Sequence, residues 1–136
     1  MCRLKCPRDG NGKGETIEGI CDLHVHSTCS DGTVSPAALI SLARERNLRA
    51  VALCDHNTVA GLPEFLSAAA GSGIEAVPGV EFSTDYRGTE LHILALFVQP
   101  RHYGAVTEQV EQMMQRKEES NIRLVQALRG AGIWLD

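Results

Sequence analysis

Between Gly19 and Val98 the chain alternates between short continuous apolar runs and longer stretches whose apolar positions recur at helical spacing. Gly19 to His26 reads as a short buried strand that ends in two histidines. Ser35-Pro36 offers a helix N-cap and a first-turn proline, and Ala37 to Arg46 places Leu39, Leu42 and Ala43 on one face of a helix ending near Asn47. Ala50-Val51-Ala52-Leu53-Cys54 is an unbroken apolar run, as expected of a strand covered on both faces, and it delivers Asp55-His56-Asn57-Thr58 at its end. Leu62 to Ala70 reads as a helix stopped by Gly71, and Ile74 to Val77 as a third strand leading into Pro78-Gly79-Val80-Glu81-Phe82-Ser83. A polar turn at Asp85-Tyr86-Arg87-Gly88 precedes a fourth strand, Leu91 to Val98, which carries His92. From Tyr103 to Arg129 one long helix is expected, with Val106, Val110, Met113, Leu124, Val125 and Leu128 as its apolar positions and its methionines filling core. Gly130 and Gly132 end it, and Ile133-Trp134-Leu135 begins a further element.

Strands alternating with helices predict an α/β fold with a parallel sheet, and in such folds the chemistry gathers at the carboxyl ends of the strands. His24 with His26, then His56, then Glu81 follow separate apolar runs, so the fold would bring them to one rim. His92 lies near the start of its strand instead, which suits an antiparallel return after Glu81. The first stretch, 1–18, has no apolar periodicity and is expected to be a flexible, locally basic leader, with Arg3, Lys5, Arg8 and Lys13 solvated.

A length of 136 residues and 43% hydrophobic content suit one packed domain, and with only 4% aromatic residues its core must be built from small aliphatic side chains. The net charge of -4 exerts no overall pull on nucleic acid or acidic membrane, so a phosphate ligand would have to be held locally. No apolar run could span a bilayer and no secretory signal is evident, so a cytoplasmic protein without a membrane partner is expected. Five cysteines, an odd number, fit reduced thiols better than a disulfide framework, with Cys21 and Cys54 as small buried strand residues. A zinc knuckle from Cys2, Cys6 and Cys21 lacks any paired Cys-x-x-Cys.

The chemistry-bearing set is His24, His26, Asp31, His56, Glu81 and His92. Alternate residues of a strand point to one face, so His24 and His26 can aim two imidazoles at one point. Taken singly, His92 reads equally as a core histidine, Asp31 as a turn residue before Gly32 and Glu81 as a surface carboxylate. Imidazoles mixed with carboxylates suit zinc, manganese or iron, whereas calcium and magnesium prefer oxygen throughout. A carboxylate can bridge two such ions, and a metal pair can clamp the attacking water and the leaving oxygen of a phosphoester, so hydrolysis is the chemistry expected. Ser27 and Cys29 lie beside the histidines without the adjacent base that covalent catalysis needs.

Four motifs, DLHVHSTCSDG (22–32), VALCDHNTVAG (51–61), VPGVEFST (77–84) and ELHILALF (90–97), in this order resemble the first part of the PHP family, the polymerase and histidinol phosphatase domains. The resemblance implies the N-terminal part of a distorted (β/α) barrel over 19–103, followed by the start of a helical insertion over 104–136. It implies a metal-dependent phosphoesterase holding up to three divalent ions (Mn, Zn or Fe). His24 and His26 resemble ligands of the first ion, Glu81 the carboxylate bridging it to the second, His92 a ligand of the second, and Asp31 and His56 ligands of the third. Asp55 matches no ligand position, and a partner that orients an imidazole is the physical expectation for it. His24, His26, Glu81 and Asp55 are the residues expected to matter for catalysis. The motifs most resemble small stand-alone members acting on nucleotides or short oligonucleotides. The family's later motifs are not present, His102 matches none of them, and the chain is read as a fragment of a longer protein, since a closed barrel needs about 200 residues. The alternative reading is a catalytically silent PHP-like module that binds metal or a partner.

Overall fold

The computed structural model describes residues 2–6 and 17–134. The elements are β1 (Cys2–Cys6), β2 (Ile17–Val25), α1 (Pro36–Glu45), β3 (Leu48–Leu53), α2 (Leu62–Ala69), β4 (Glu75–Tyr86), β5 (Thr89–Leu96), a 3-10 turn (Pro100–His102) and α3 (Tyr103–Gly130). One sheet runs in the order β1-β2-β3-β4-β5. β2, β3 and β4 are parallel, while β1 and β5 pair antiparallel at the two sides. The mixed α/β sheet is therefore parallel at its centre, as the strand and helix alternation requires.

Cys2–Cys6 falls inside the stretch expected to be a leader, yet it pairs residue for residue with β2, from Cys2 opposite Cys21 to Cys6 opposite Ile17. A strand edge carries unpaired N–H and C=O groups, and pairing there satisfies them whatever the apolar pattern. Residues 7–16, the Cys2 and Cys6 side chains of the supposed knuckle, and Leu135 lie outside the described residues.

α1 starts where the sequence places it: the Ser35 side chain accepts from the Ala38 N–H and Pro36 occupies the first turn. Asn47 then turns the chain out at φ 55°, a left-handed conformation that asparagine tolerates. The buried face of α1 is Pro36, Leu39, Ile40 and Ala43, at i, i+3, i+4 and i+7. Leu42, expected on that face, stands partly in solvent at 37% exposure. Both helices lie on one side of the sheet, where Leu39, Ile40 and Ala43 join Val51, Leu53, Val59, Leu62, Phe65 and Val80 in one core cluster. The alternate residues of the β3 run, Ala52 and Cys54, form a second cluster with Val77, packed by Leu23 and Leu96. β3 is thus buried on both faces, and Cys21 and Cys54 are buried as expected.

β4 changes partner midway. It pairs with β3 from Glu75 to Pro78 and with β5 from Gly79 to Tyr86. Proline has no N–H to contribute to a ladder, so Pro78 suits the changeover. Gly79 is needed there because a Cβ would lie 2.7 Å from Cys54 Sγ. The β4–β5 hairpin closes through Arg87 (φ 56°) and Gly88 (φ 79°), two left-handed residues that match the twist of an antiparallel pair. Along α3 only Val110 is buried among the described residues, and Met114, expected as core filling, is exposed.

Candidate metal centre

The loop after each parallel strand, together with the β4–β5 hairpin, delivers one part of a single cluster. His24 lies near the end of β2 and His26 just beyond it. Their Nε2 atoms are 3.0 Å apart, so the two rings converge as their spacing requires. His56 follows β3 and makes an isolated parallel bridge with Glu81, which lies in the middle of β4 beyond the changeover, not at a strand end. His92 on β5 sits opposite Ser83, which places it diagonally beside Glu81 on the same face.

Glu81 is the centre of this arrangement. Its residue is only 4% exposed. Oε2 lies 3.0 Å from His24 Nε2, 3.2 Å from His26 Nε2 and 3.3 Å from His56 Nδ1, and Oε1 lies 3.0 Å from His92 Nδ1. Asp31, on the exposed loop after His26, brings Oδ1 to 3.2 Å from His26 Nδ1 and Oδ2 to 3.7 Å from His56 Nε2. All six residues singled out from the sequence therefore meet. They form three overlapping groups, His24–His26–Glu81, His26–Asp31–His56 and His56–Glu81–His92, with the candidate ligand atoms of each within 4.8 Å of one another.

Hydrogen bonding alone does not account for these contacts. His26 Nδ1 and His56 Nδ1 are buried and unpaired although carboxylate oxygens lie 3.2 and 3.3 Å away, so the nitrogens and oxygens are close without being aimed at each other. Buried polar atoms rarely stay unsatisfied. Nitrogen and oxygen ligands at about 2.0–2.2 Å from a shared ion stand roughly 3 Å apart with their lone pairs on the ion instead of on one another. The donor set fits a divalent cation that accepts imidazole and carboxylate.

The electrostatics agree. Burial pushes the Glu81 carboxyl up, but hydrogen bonds from His24 and His92 and the charges of His24 and His56 outweigh it, and the group is held below its ordinary value. The hydrogen bond to Glu81 raises His92 above the ordinary imidazole value. A cation must then displace a proton from His92. Glu81, with its lowered value, is already ionised and adds no slope, whereas the His92 ring loses its proton only as pH rises through its raised value. Affinity for manganese(II) is accordingly expected to increase from pH 6 to pH 8, and calorimetric titration at the two pH values checks it.

The Asp55 carboxylate, expected to orient an imidazole, bonds to none directly among the described residues and takes serines instead. Its Oδ1 accepts from the Ser27 N–H at 2.7 Å and the Ser30 hydroxyl at 2.6 Å, and its Oδ2 from the Ser27 hydroxyl at 2.6 Å. It is buried, and it holds the loop that carries Asp31. That loop is tight: a Cβ on Gly32 would lie 2.3 Å from the His26 carbonyl oxygen.

Asn57 is a residue that the sequence reading passed over. Its N–H donates to the Glu81 carbonyl at 2.8 Å, its Oδ1 accepts from the Ser83 N–H at 3.0 Å, and its φ is 52°. It fastens the His56 loop to β4. Asparagine after a strand-end histidine, a residue type that tolerates left-handed backbone, was the available signal. Asn57→Ala is expected to destabilise by about 2–4 kcal/mol, from the unpaired Ser83 N–H plus left-handed strain, and Asn57→Gly by less because it removes the strain. Denaturant melts of both variants test the ordering. His102, expected at the surface, is exposed and accepts from Arg101 Nε at 3.0 Å, away from the cluster.

The PHP domain family model matches residues 22–129. Among known proteins, a 5'-3' exoribonuclease of Haemophilus influenzae is 38% identical over 112 residues, covering 82% of this chain and 40% of that protein. A 3',5'-nucleoside bisphosphate phosphatase of Chromobacterium violaceum is 34% identical, covering 82% of this chain and 39% of that protein. A solved structure described as an amidohydrolase from Chromobacterium violaceum, with bound sulfate and no metal, superposes with a TM-score of 0.66 at 34% identity over 83% of this chain and 39% of that one. The chain thus spans about 40% of the length of the curated relatives it matches.

Proposed function

Because this chain belongs to the PHP domain family, we propose that it carries metal-binding residues of a phosphoesterase that hydrolyses a phosphomonoester or phosphodiester of a nucleotide or short oligonucleotide. The observation that carries the reading is the Glu81 carboxylate with four imidazole nitrogens within 3.3 Å, two from the β2 end and one each from the β3 loop and β5. His24, His26 and Glu81 would hold one divalent ion, His56, Glu81 and His92 a second, and His26, Asp31 and His56 a third, with zinc, manganese or iron as the candidates. Bound there, such ions would lower the pKa of water toward about 7 and polarise the phosphoryl group.

The chain's own residues supply the rest. Glu81 places a buried negative charge where cations are to be gathered, and its two oxygens face different histidines, so one carboxylate can serve two groups. His24 and His92, each about two-fifths exposed, form the open side from which a substrate would approach. Asp55 keeps the Asp31 loop folded against them. The nucleotide class rests on the activities for which the Haemophilus and Chromobacterium relatives are named. No described helix is long and apolar enough to cross a membrane, and a cytoplasmic location is part of the same proposal. The division into 1–18, 19–103 and 104–136 is likewise a proposal.

A second reading, a metal-binding module that does not turn over alone, is favoured by the sharing of His26, His56 and Glu81 among the three donor groups, which leaves few ligands to each. The test is elemental analysis of the purified chain, with phosphate release from a nucleoside bisphosphate and a dinucleotide assayed before and after chelation. Bound metal with chelator-sensitive release supports the enzyme reading. Bound metal without release supports the module. Little metal and no release overturns both.

A further inference from the structure

The Asp55 backbone carbonyl accepts from the Glu81 N–H at 3.2 Å, but its side chain has a relation to one ligand group that it has to neither of the others. Its carboxylate accepts the N–H of Ser27, the residue after His26, and the hydroxyl of Ser30, the residue before Asp31. Asp55 itself is peptide-bonded to His56. His26, Asp31 and His56 are the members of one donor group, so this single buried carboxylate adjoins every member of it. His24, Glu81 and His92, which complete the other two groups, are placed by β2, β4 and β5.

Other bonds tighten the same loop around Asp55. The Ser27 hydroxyl donates to Asp55 Oδ2 at 2.6 Å and accepts from the Cys29 N–H at 3.1 Å, while the Ser30 and Gly32 N–H groups both donate to the Ser27 carbonyl. Gly61 closes the far side, where a Cβ would lie 3.2 Å from Asp55 Oδ2. Asp31 itself is exposed, with its side chain 68% accessible, so the loop beneath it must supply the order that its own packing does not.

From this geometry we infer that the Asp55 carboxylate is a positioning group for the His26–Asp31–His56 set above all, acting through Ser27 and Ser30 on Asp31, the one member that no other group shares, while His24, Glu81 and His92 are set by the strands. The inference rests on the metal reading of the cluster given above. Loss of an outer partner of this kind costs roughly 10- to 100-fold in metal affinity.

The experiment titrates manganese(II) into the full chain and into Ser30→Ala, Asp55→Asn and Asp55→Ala, reading the number of ions and their affinities by calorimetry. Ring spectra of the histidines are recorded on the metal-free proteins. Ser30→Ala keeps the two Ser27 bonds, and the Asp55→Asn amide oxygen can still accept from Ser27 and Ser30, so these two carry the test if Asp55→Ala does not fold. Ile40→Val, in the α1 core, controls for lost stability alone.

The expected result is one ion lost or weakened about 10- to 100-fold in Ser30→Ala, with the others weakened less, since each shares only His26 or His56 with that group. Asp55→Asn should fall between Asp55→Ala and the wild type, and Ile40→Val should bind as the wild type does. Displacement of the ring resonances should be larger for His26 and His56 than for His24 and His92. Equal weakening of every ion, or wild-type binding by Ser30→Ala, overturns the inference while leaving the metal reading standing. A wild-type chain that takes up no manganese overturns the metal reading and this inference with it.

Discussion

Glu81→Gln is expected to leave the chain folded and to remove most of its affinity for divalent metal, together with any metal-dependent phosphate release. The change keeps the shape of the side chain and takes away its charge and one of its two acceptors. Four imidazole nitrogens now lie within 3.3 Å of the carboxylate, and the carboxylate takes part in two of the three donor groups. An amide must turn its NH2 toward one set of rings and can offer only a neutral oxygen to the other. The affinity loss should exceed the roughly 10- to 100-fold that an outer partner costs, because a ligand itself is altered. Calorimetric titration with manganese(II), beside circular dichroism melts, separates lost binding from lost folding. Retention of wild-type affinity in a folded Glu81→Gln chain would remove the basis for placing an ion in the two groups that Glu81 joins.

Phe65→Ala should produce the largest loss of stability from a single core change, about 3–5 kcal/mol, which corresponds to a fall in melting temperature on the order of 10–20 °C. Phe65 is fully buried on α2 in the cluster that joins both helices to β3 and β4. The other rings against this cluster, Phe82 and Tyr103, lie at its partly buried margin, and Phe65 is its only fully buried ring among the described residues. Leu42→Ala makes the contrasting case. Helical periodicity placed Leu42 in the core, but at 37% exposure its truncation should cost about 1 kcal/mol or less. Urea melts of the two variants measure the difference, and comparable losses would mean that α1 packs through a different face.

Leu42 shows what kind of information periodicity holds. A helical repeat tells which residues share a stripe, and Leu39, Leu42 and Ala43 do lie close around the helix axis. The centre of the buried stripe depends on where α2 and β3 meet α1, and that contact selects Ile40 over Leu42. The β3 run was easier to read because a strand covered on both faces needs only continuous apolarity, which Val51 to Cys54 supplies.

The candidate ligand cluster was legible for a related reason. Histidine, aspartate and glutamate at the ends of apolar runs are residue types whose chemistry is local, and the His24–His26 spacing by itself aims two rings together. Asp55 was legible as a polar residue in the right place and illegible in its role. Only the fold brings Ser27 and Ser30, 28 and 25 residues away in the chain, to its oxygens. Asn57 likewise gains its meaning from β4, whose Ser83 N–H it caps.

The sequence by itself determined the order of strands and helices from β2 onward, the buried central strand, and the six candidate side chains for a cation, because each of these follows from local composition and spacing. The tertiary structure alone decided that β4 leaves β3 for β5 at Pro78–Gly79, that Glu81 sits mid-strand among four histidines, and that three donor groups share members. The physical reason is register. Periodicity states which face a side chain takes, but the distance between two side chains on different strands is set by how those strands pair, and pairing is a property of the whole sheet.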